Sequence, residues 1–478
     1  MVSRSWQCYR RLSCAPRNSD FIHISHFGFN SFTIDCSFCG FRKSRHRNLM
    51  KIDLPQIKRF ATWTLNSFVF LCFIFFPLNT AAKTLKWKKQ PIKIAISSSL
   101  LEHANQISNN EDIVSLIKRS AEKWEAVANI KFEFFISEKR SISTDAPDGI
   151  NLITIESTPD NIAFFGEDID KVPAKTKIFY TRNNIFEADI VLNPYIKFST
   201  DGKFGTFDFE TILTHEIGHL IGLEHTHLYC SIMMPHLPRN GTYGIPQIFF
   251  RDLSQADISL IRSIYGTNQE RCCASVTGRI TVVGEKIFPL QIWLEDADSG
   301  RLQAFNVSNS YGSFFIGGIE AGKYRLYVQG IKNNKIVSSE LGTILLKPAS
   351  TIRIFRVIEP KAANLSVEKI GFNAQLSTNS IIVNPSSTYL VYLSINNNSS
   401  QEIQIESTSP NIKPIADTMI VHEAEGNLSV ISIGLEVLEP LNEGAYTLKI
   451  RHKDAEFFLI GAIVTSNKGK IPKNFFLF

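Results

Sequence analysis

"LTHEIGHLIGLEHTH", Leu213–His227, places four of the chain's 11 histidines within thirteen residues, together with Glu216 and two glycines. On a helix, His215 and His219 are four apart and lie one turn above each other on one face. Two imidazoles at that spacing can grip one zinc ion at about 2.0–2.1 Å each. Glu216 is displaced from that face, too far round to ligate but near enough to reach a water on the metal. Gly222, without a Cβ, can turn through left-handed backbone angles and end the helix. The turn brings His225 back as a third ligand. Three histidines leave the fourth zinc position to water, the mark of a catalytic rather than a structural site. Asp208 is read as the N-cap of this helix, and Phe209, Ile212, Leu213, Ile217, Leu220 and Ile221 supply its apolar flank. His227 and His236 fall outside the ligand spacing and are read as solvent-facing or cleft-wall residues.

H-E-x-x-H alone occurs by chance. The full H-E-x-x-H-x-x-G-x-x-H fixes five positions in eleven and is far more specific. Eight residues beyond His225 stands Met233, within "SIMMP", Ser231–Pro235. That stretch resembles the methionine turn beneath the zinc of metzincin proteases, which implies a structural role for Met233.

Outward from the motif, strand and helix patterns mix. "PIKIAISS" (Pro91–Ser98) alternates like a strand, as do "IKFEFFIS", "INLITIES", "TKIFYT" and "ADIVLN". "EDIVSLIKRSAEKWEAV" (Glu111–Val127) places Ile113, Leu116, Ile117, Trp124 and Val127 at helical spacing, with acids at its start, and Trp124 is read as core. Residues 83–268 thus read as one α+β domain.

This region resembles the catalytic domain of a matrixin, the matrix-metalloproteinase branch of the metzincins (peptidase M10). The zinc motif and "SIMMP" carry the resemblance. So do Thr226 after the third histidine, "EADIVLN", "DGKFGTFDFETILTHEIGH" and "LSQADISLIRSIYG" (Leu253–Gly266). It implies a twisted five-stranded sheet with three helices, a substrate cleft bounded by an edge strand, and Met233 as an apolar floor under the metal. The implied chemistry is endopeptidase hydrolysis by a zinc-bound water, with His215, His219 and His225 as ligands and Glu216 as general base. Departures are equally specific. No "PRCGxPD"-like cysteine switch or haemopexin-like propeller is found. The family's His- and Asp-rich segment for structural zinc and calcium has no counterpart between Asn161 and Asp189. One zinc is expected per chain, and calcium is not supported. Ala256 replaces the first of two helix aspartates while Asp257 keeps the second, which removes one partner of an N-terminal latch.

Charge and leader bound the partners. The net charge is +6, but residues 1–49 carry +6 and residues 50–82 another +2, leaving residues 83–478 at −2. Such a body offers no excess for phosphate backbones, and nucleic acid is not an expected partner. Lys51, Lys58 and Arg59 precede "FVFLCFIFFPL" (Phe68–Leu78), followed by small residues at Thr80 and Ala82. Residues 50–82 are read as a secretory signal, with Met50 at its start. Residues 1–49 are read as an extension outside the natural product, and their Cys8, Cys14, Cys36 and Cys39 match zinc-module spacing poorly. The chain is therefore expected to be secreted, or periplasmic in a bacterium. Cys230, Cys272 and Cys273 remain, enough for one disulfide and one thiol. Neighbouring cysteines rarely pair with each other, so Cys230 with one of the other two is the alternative.

Residues 274–357 are all strand and turn and resemble a carboxypeptidase regulatory-like β-sandwich, through "VTGRI" and "SGRLQAFNVSNSYGSFFIGGIEAGKYRLYV". Residues 362–478, with turns such as "NNNSS", read as an Ig-like β-sandwich, and Glu359–Asn364 as a linker. These modules are expected to bind protein, glycan or cell surface, on a chain that acts as a monomer. Two alternatives to a secreted endopeptidase stand: a surface adhesion protein carrying a degenerate metzincin domain, and a metalloenzyme acting on something other than protein.

Overall fold

The computed structural model describes residues 84–107, 111–228, 230–241, 251–286, 288–333, 335–362, 365–372, 380–396, 403–422 and 428–465. The extension 1–49, the signal segment 50–82 and most of "NNNSS" lie outside the described residues.

The first region is built on strands β1 (Ile92–Ser97), β2 (Phe132–Ser137), β3 (Asn151–Thr154), β4 (Ala174–Thr181) and β5 (Asn184–Leu192), in the order β2-β1-β3-β5-β4. All pairings are parallel except that of β4, which runs antiparallel to β5 along the edge, with Ala174 opposite Leu192. Lys86–Trp87 adds a sixth, two-residue strand beside the start of β5. A sheet of five strands was expected. Two residues carry too little pattern to announce themselves, which is why the sixth is invisible in sequence. β1 is buried at Ile92, Ile94, Ala95 and Ile96, so both its faces are covered, as parallel strands require.

Among the described residues, three helices have eleven residues or more: α1 (Ile113–Glu125), α2 (Phe209–Leu220) and α3 (Gln255–Tyr265). Short helical segments at Ser98–Glu102, Ala104–Ile107 and Pro159–Phe165 accompany them. α1 begins where Asp112 accepts from the amides of Val114 (3.2 Å) and Ser115 (3.1 Å). It buries Ile113, Leu116, Ile117, Ala121 and Trp124 in the main core, each large side chain contributing roughly 1.5–3 kcal/mol. α1 and α2 are tied by Trp124 Nε1 donating to Thr214 O (3.0 Å) and by Lys123 and Arg119 on Glu210 (2.5 and 3.0 Å). A smaller cluster of Ala95, Ile142, Leu152, Phe165, Val172 and Val191 is gathered separately from that core.

Beyond α3, strands β6 (Ala274–Val282), β7 (Gln291–Asp296), β8 (Leu302–Val307), β9 (Ser313–Ile319), β10 (Gly322–Lys332), β11 (Lys335–Leu346) and β12 (Thr351–Ile358) form two sheets, β8-β7-β10-β11 and β9-β6-β12. Their core includes Val276, Ile292, Leu294, Phe314 and Leu326. The remaining strands, 366–465, form two four-stranded sheets around Leu393, Ile433, Tyr446 and Ile450. The stretch Glu359–Asn364, read as a linker, is partly strand: Lys361–Ala362 pair antiparallel with Lys335 and Ile336. β11 is an edge strand, and its free backbone groups take up the passing chain.

Candidate metal centre

α2 starts as its sequence suggests. Asp208 accepts from the Thr211 amide (3.0 Å) and hydroxyl (2.8 Å), and its carboxylate is held from outside by Arg251 (2.8 and 2.5 Å). The helix ends at Leu220 and the chain turns at Gly222, whose φ of +100° is the left-handed turn expected of it. A Cβ there would lie 2.3 Å from Leu85 O, so only glycine lets the N-terminal segment pass.

The turn brings three imidazoles together. Nε2 of His219 is 3.1 Å from Nε2 of His215 and 3.0 Å from Nε2 of His225, and the third side of the triangle is 3.3 Å. His215 Nδ1 donates to Ile232 O (2.7 Å) and His219 Nδ1 to Leu223 O (2.8 Å). A ring nitrogen facing a carbonyl must carry the proton, so Nε2 of both neutral rings is a bare lone pair. Burial holds all three rings neutral at pH 7: His215 falls well below the usual histidine range, His219 to about 4 and His225 to about 3. The 3.1 Å contact between His215 and His219 therefore has no proton between its nitrogens. Lone pairs converging at that distance repel each other unless a cation sits among them. Tetrahedral zinc with bonds of about 2.0–2.1 Å would hold its ligand nitrogens about 3.3–3.4 Å apart, close to the observed triangle. The donor set fits zinc, and the two carbonyl partners are the outer contacts that orient zinc-ligating histidines. Among the described residues, this is the one group of three ligand-bearing side chains so gathered.

Glu216 is buried beside His215. Its Oε2 accepts from Thr176 Oγ1 at 2.5 Å, a residue of the edge strand β4. Burial pushes the Glu216 pKa up to about 7, against the lowering effects of Thr176 and Lys175. Thr176 is the site residue that sequence reasoning missed. It is 40 positions from Glu216, and in "AKTKIFYT" it reads as one more alternating strand residue.

Met233 is fully buried, and a Cβ on Gly218 would lie 2.4 Å from its Sδ, so the small residue inside the motif makes room for it. The loop around Met233 is pinned by Asp257, which accepts from Ser231 Oγ (2.5 Å), the Ile232 amide (3.0 Å) and the Ser254 amide (2.9 Å). Trp124 is wholly buried, while His227 and His236 are exposed and outside the triad. The expectation that neighbouring cysteines do not pair is corrected. Cys272 and Cys273 are bonded to each other across a cis peptide that brings their Cα atoms to 3.0 Å, and Cys230 is free.

The matrixin family (peptidase M10) matches residues 86–266. Those residues form a matrixin-like metalloprotease domain. The chain is similar to two plant proteins. Metalloendoproteinase 1 of Glycine max is 42% identical over 62 residues, which is 13% of this chain and 18% of that protein. Metalloendoproteinase 1-MMP of Arabidopsis thaliana is 24% identical over 199 residues, 40% of this chain and 48% of that one. The chain thus spans less than half the length of either relative. A solved structure, the minor pilin GBS52 of Streptococcus agalactiae, is 10% identical over 19% of this chain and 45% of its own, with a TM-score of 0.16 that fixes no shared fold.

Proposed function

We propose that the chain is an exported zinc-dependent endopeptidase whose catalytic domain spans residues 83–268, followed by β modules at 274–357 and 362–478. The observation that carries this reading is the Nε2 triangle of His215, His219 and His225 beside a buried glutamate, within a matrixin-like domain. Bound at the triad, zinc supplies a Lewis acid that polarises the scissile carbonyl and makes water more acidic. Glu216 accepts the proton of the attacking water and returns it to the leaving amine. Its pKa of about 7 suits it to both halves of that exchange at neutral pH. The Thr176 hydroxyl holds the carboxylate in one orientation throughout. A protein substrate lies extended along β4, adding as a strand through backbone hydrogen bonds. β4 is the edge strand that adjoins α2 through Thr176, so such a strand would cross in front of Glu216.

Glu216→Ala tests the assignment. The variant is expected to retain one zinc per chain by elemental analysis and to lose nearly all digestion of casein. Zinc retained with undiminished, chelator-sensitive proteolysis would remove Glu216 from the role. Less than one zinc per wild-type chain would favour an adhesion protein with a degenerate site.

A further inference from the structure

The loop that carries Met233 is packed against more than its own domain. Leu228 and Ala256 belong to a buried cluster with Trp293 of β7, Tyr327 of β10, and Phe458 and Ile460 of the strand Ala455–Thr465. Trp293 stacks on Tyr327 at 5.2 Å between ring centroids, and Phe458 meets both, at 5.2 and 5.5 Å. Cys230 packs against the same cluster.

The two β modules are fitted to this contact. Gly461 has a φ of +69°, and a Cβ there would lie 3.1 Å from Cys230 Sγ. Gly318, in the "IGGI" stretch of β9, has a φ of +70°, and a Cβ there would lie 2.1 Å from Ser259 O of α3. α3 is then held by Ser259 Oγ donating to Gly317 O (2.7 Å) and by Arg262 paired with Glu320 (2.9 Å). The modules are locked to each other at the same place. Gln329 Nε2 donates to Phe458 O (2.9 Å), and the Phe458 amide donates back to Gln329 Oε1 (2.6 Å).

From this cluster the contacts run directly to the metal centre. Ala256 precedes Asp257, whose carboxylate holds Ser231 and the Ile232 amide. Ile232 O in turn fixes His215 Nδ1 at 2.7 Å. Thr226, next to His225, donates its amide to Met233 O at 2.9 Å.

We propose that the β modules are the positioning scaffold of the metal centre, with Trp293, Tyr327 and Phe458 acting as positioning residues that hold residues 226–228 and 230–233 and so aim His215 and His225. The inference rests on the proposed zinc site for its functional meaning, but the mechanical link can be read without metal. Partners behind a ligating histidine typically change metal affinity about ten- to a hundred-fold when removed. Phe458 stands behind Ala256, Asp257 and Ile232, several contacts further out, so the low end of that range, about ten-fold, is expected.

The test uses the full chain and four variants: Phe458→Ala, Phe458→Leu, Cys230→Ala, and Leu393→Ala as a control in the core of the same module but outside the shared cluster. Zinc release is followed by competition with a chelator, and amide exchange over 226–233 is followed in the metal-free chain. Phe458→Leu and Phe458→Ala should release zinc at about ten-fold lower chelator and speed exchange in the loop, with Cys230→Ala intermediate. Leu393→Ala should leave both readouts unchanged. Should Phe458→Ala fail to fold, Phe458→Leu and Cys230→Ala carry the comparison. Loop exchange and zinc release at wild-type levels in the Phe458 variants would overturn the proposal, as would an equal shift in Leu393→Ala. A wild-type chain that holds no zinc would instead overturn the endopeptidase reading, while the exchange data still decide the scaffold.

Discussion

At Glu216 a hydroxyl from another element meets the carboxylate at 2.5 Å, and the same hydroxyl lies 3.1 Å from Glu216 O. A hydrogen bond to a charged group is worth about 1.5–3 kcal/mol, and a misaimed catalytic group loses rate steeply. Thr176→Val keeps the shape and removes the donor. Its kcat is expected to fall on the order of ten- to a hundred-fold, with zinc content and KM near wild type. Thr176→Ser should recover activity to within a few-fold. Steady-state kinetics check this, and a Thr176→Val chain with full kcat would show that packing alone orients Glu216. The contrast with the histidines is physical. His215, His219 and His225 are legible in the sequence because helical periodicity and one turning glycine place them together locally. Thr176 reaches Glu216 across the sheet, and no short-range pattern encodes that meeting.

At the scale of the element, α2 depends on its first turn. Asp208 is fully buried, caps Thr211 and carries the Arg251 pair, which also lies 3.6 Å from Glu210. Losing a cap costs about 1 kcal/mol. Breaking a buried ion pair from one side costs about 3–5 kcal/mol, because the other charge is left without compensation. Asp208→Ala should therefore lower stability by about 3 kcal/mol or more, and Asp208→Asn, which can still cap, by less. Urea midpoints measure both, and equal losses would mean that the cap contributes nothing beyond the charge. The cap was legible from an Asp placed before an apolar stripe, and so were the strands that alternate over six or more residues. Arg251 as its partner was not legible, since 43 positions separate them. Neither were the short pieces Lys86–Trp87 and Lys361–Ala362, which are strands only because an exposed edge lies beside them.

At the scale of the molecule, Trp293, Tyr327 and Phe458 lie on β strands, and strand pattern alone cannot say which core each one enters. The structure puts them in a shared cluster between three sets of elements, with Glu295 sealed behind them. Glu295 Oε1 accepts from Trp293 Nε1 (2.9 Å), while Oε2 has no hydrogen-bond partner among the described residues. Burial pushes its pKa from 4.5 up to about 7. Between those values the native chain holds a proton that the unfolded chain has released, so stability falls as pH rises. The contribution is complete below about pH 4.5 and is lost as pH climbs through about 7. The buried histidines of the metal centre have lowered pKa values and slope the opposite way up to about pH 6.5, so the wild-type curve alone mixes the two signs. Glu295→Gln isolates the carboxyl, because it removes one titration and keeps an acceptor for Trp293. Its stability relative to wild type is expected to rise by about 2–3 kcal/mol between pH 5 and pH 8, at 1.36 kcal/mol per unit of pKa shift. Parallel urea titrations of the two chains across that range would read the difference. A difference that stays flat would mean that Glu295 is ionised in the folded chain at every pH tested, and that the space between the modules is wetter than its packing implies.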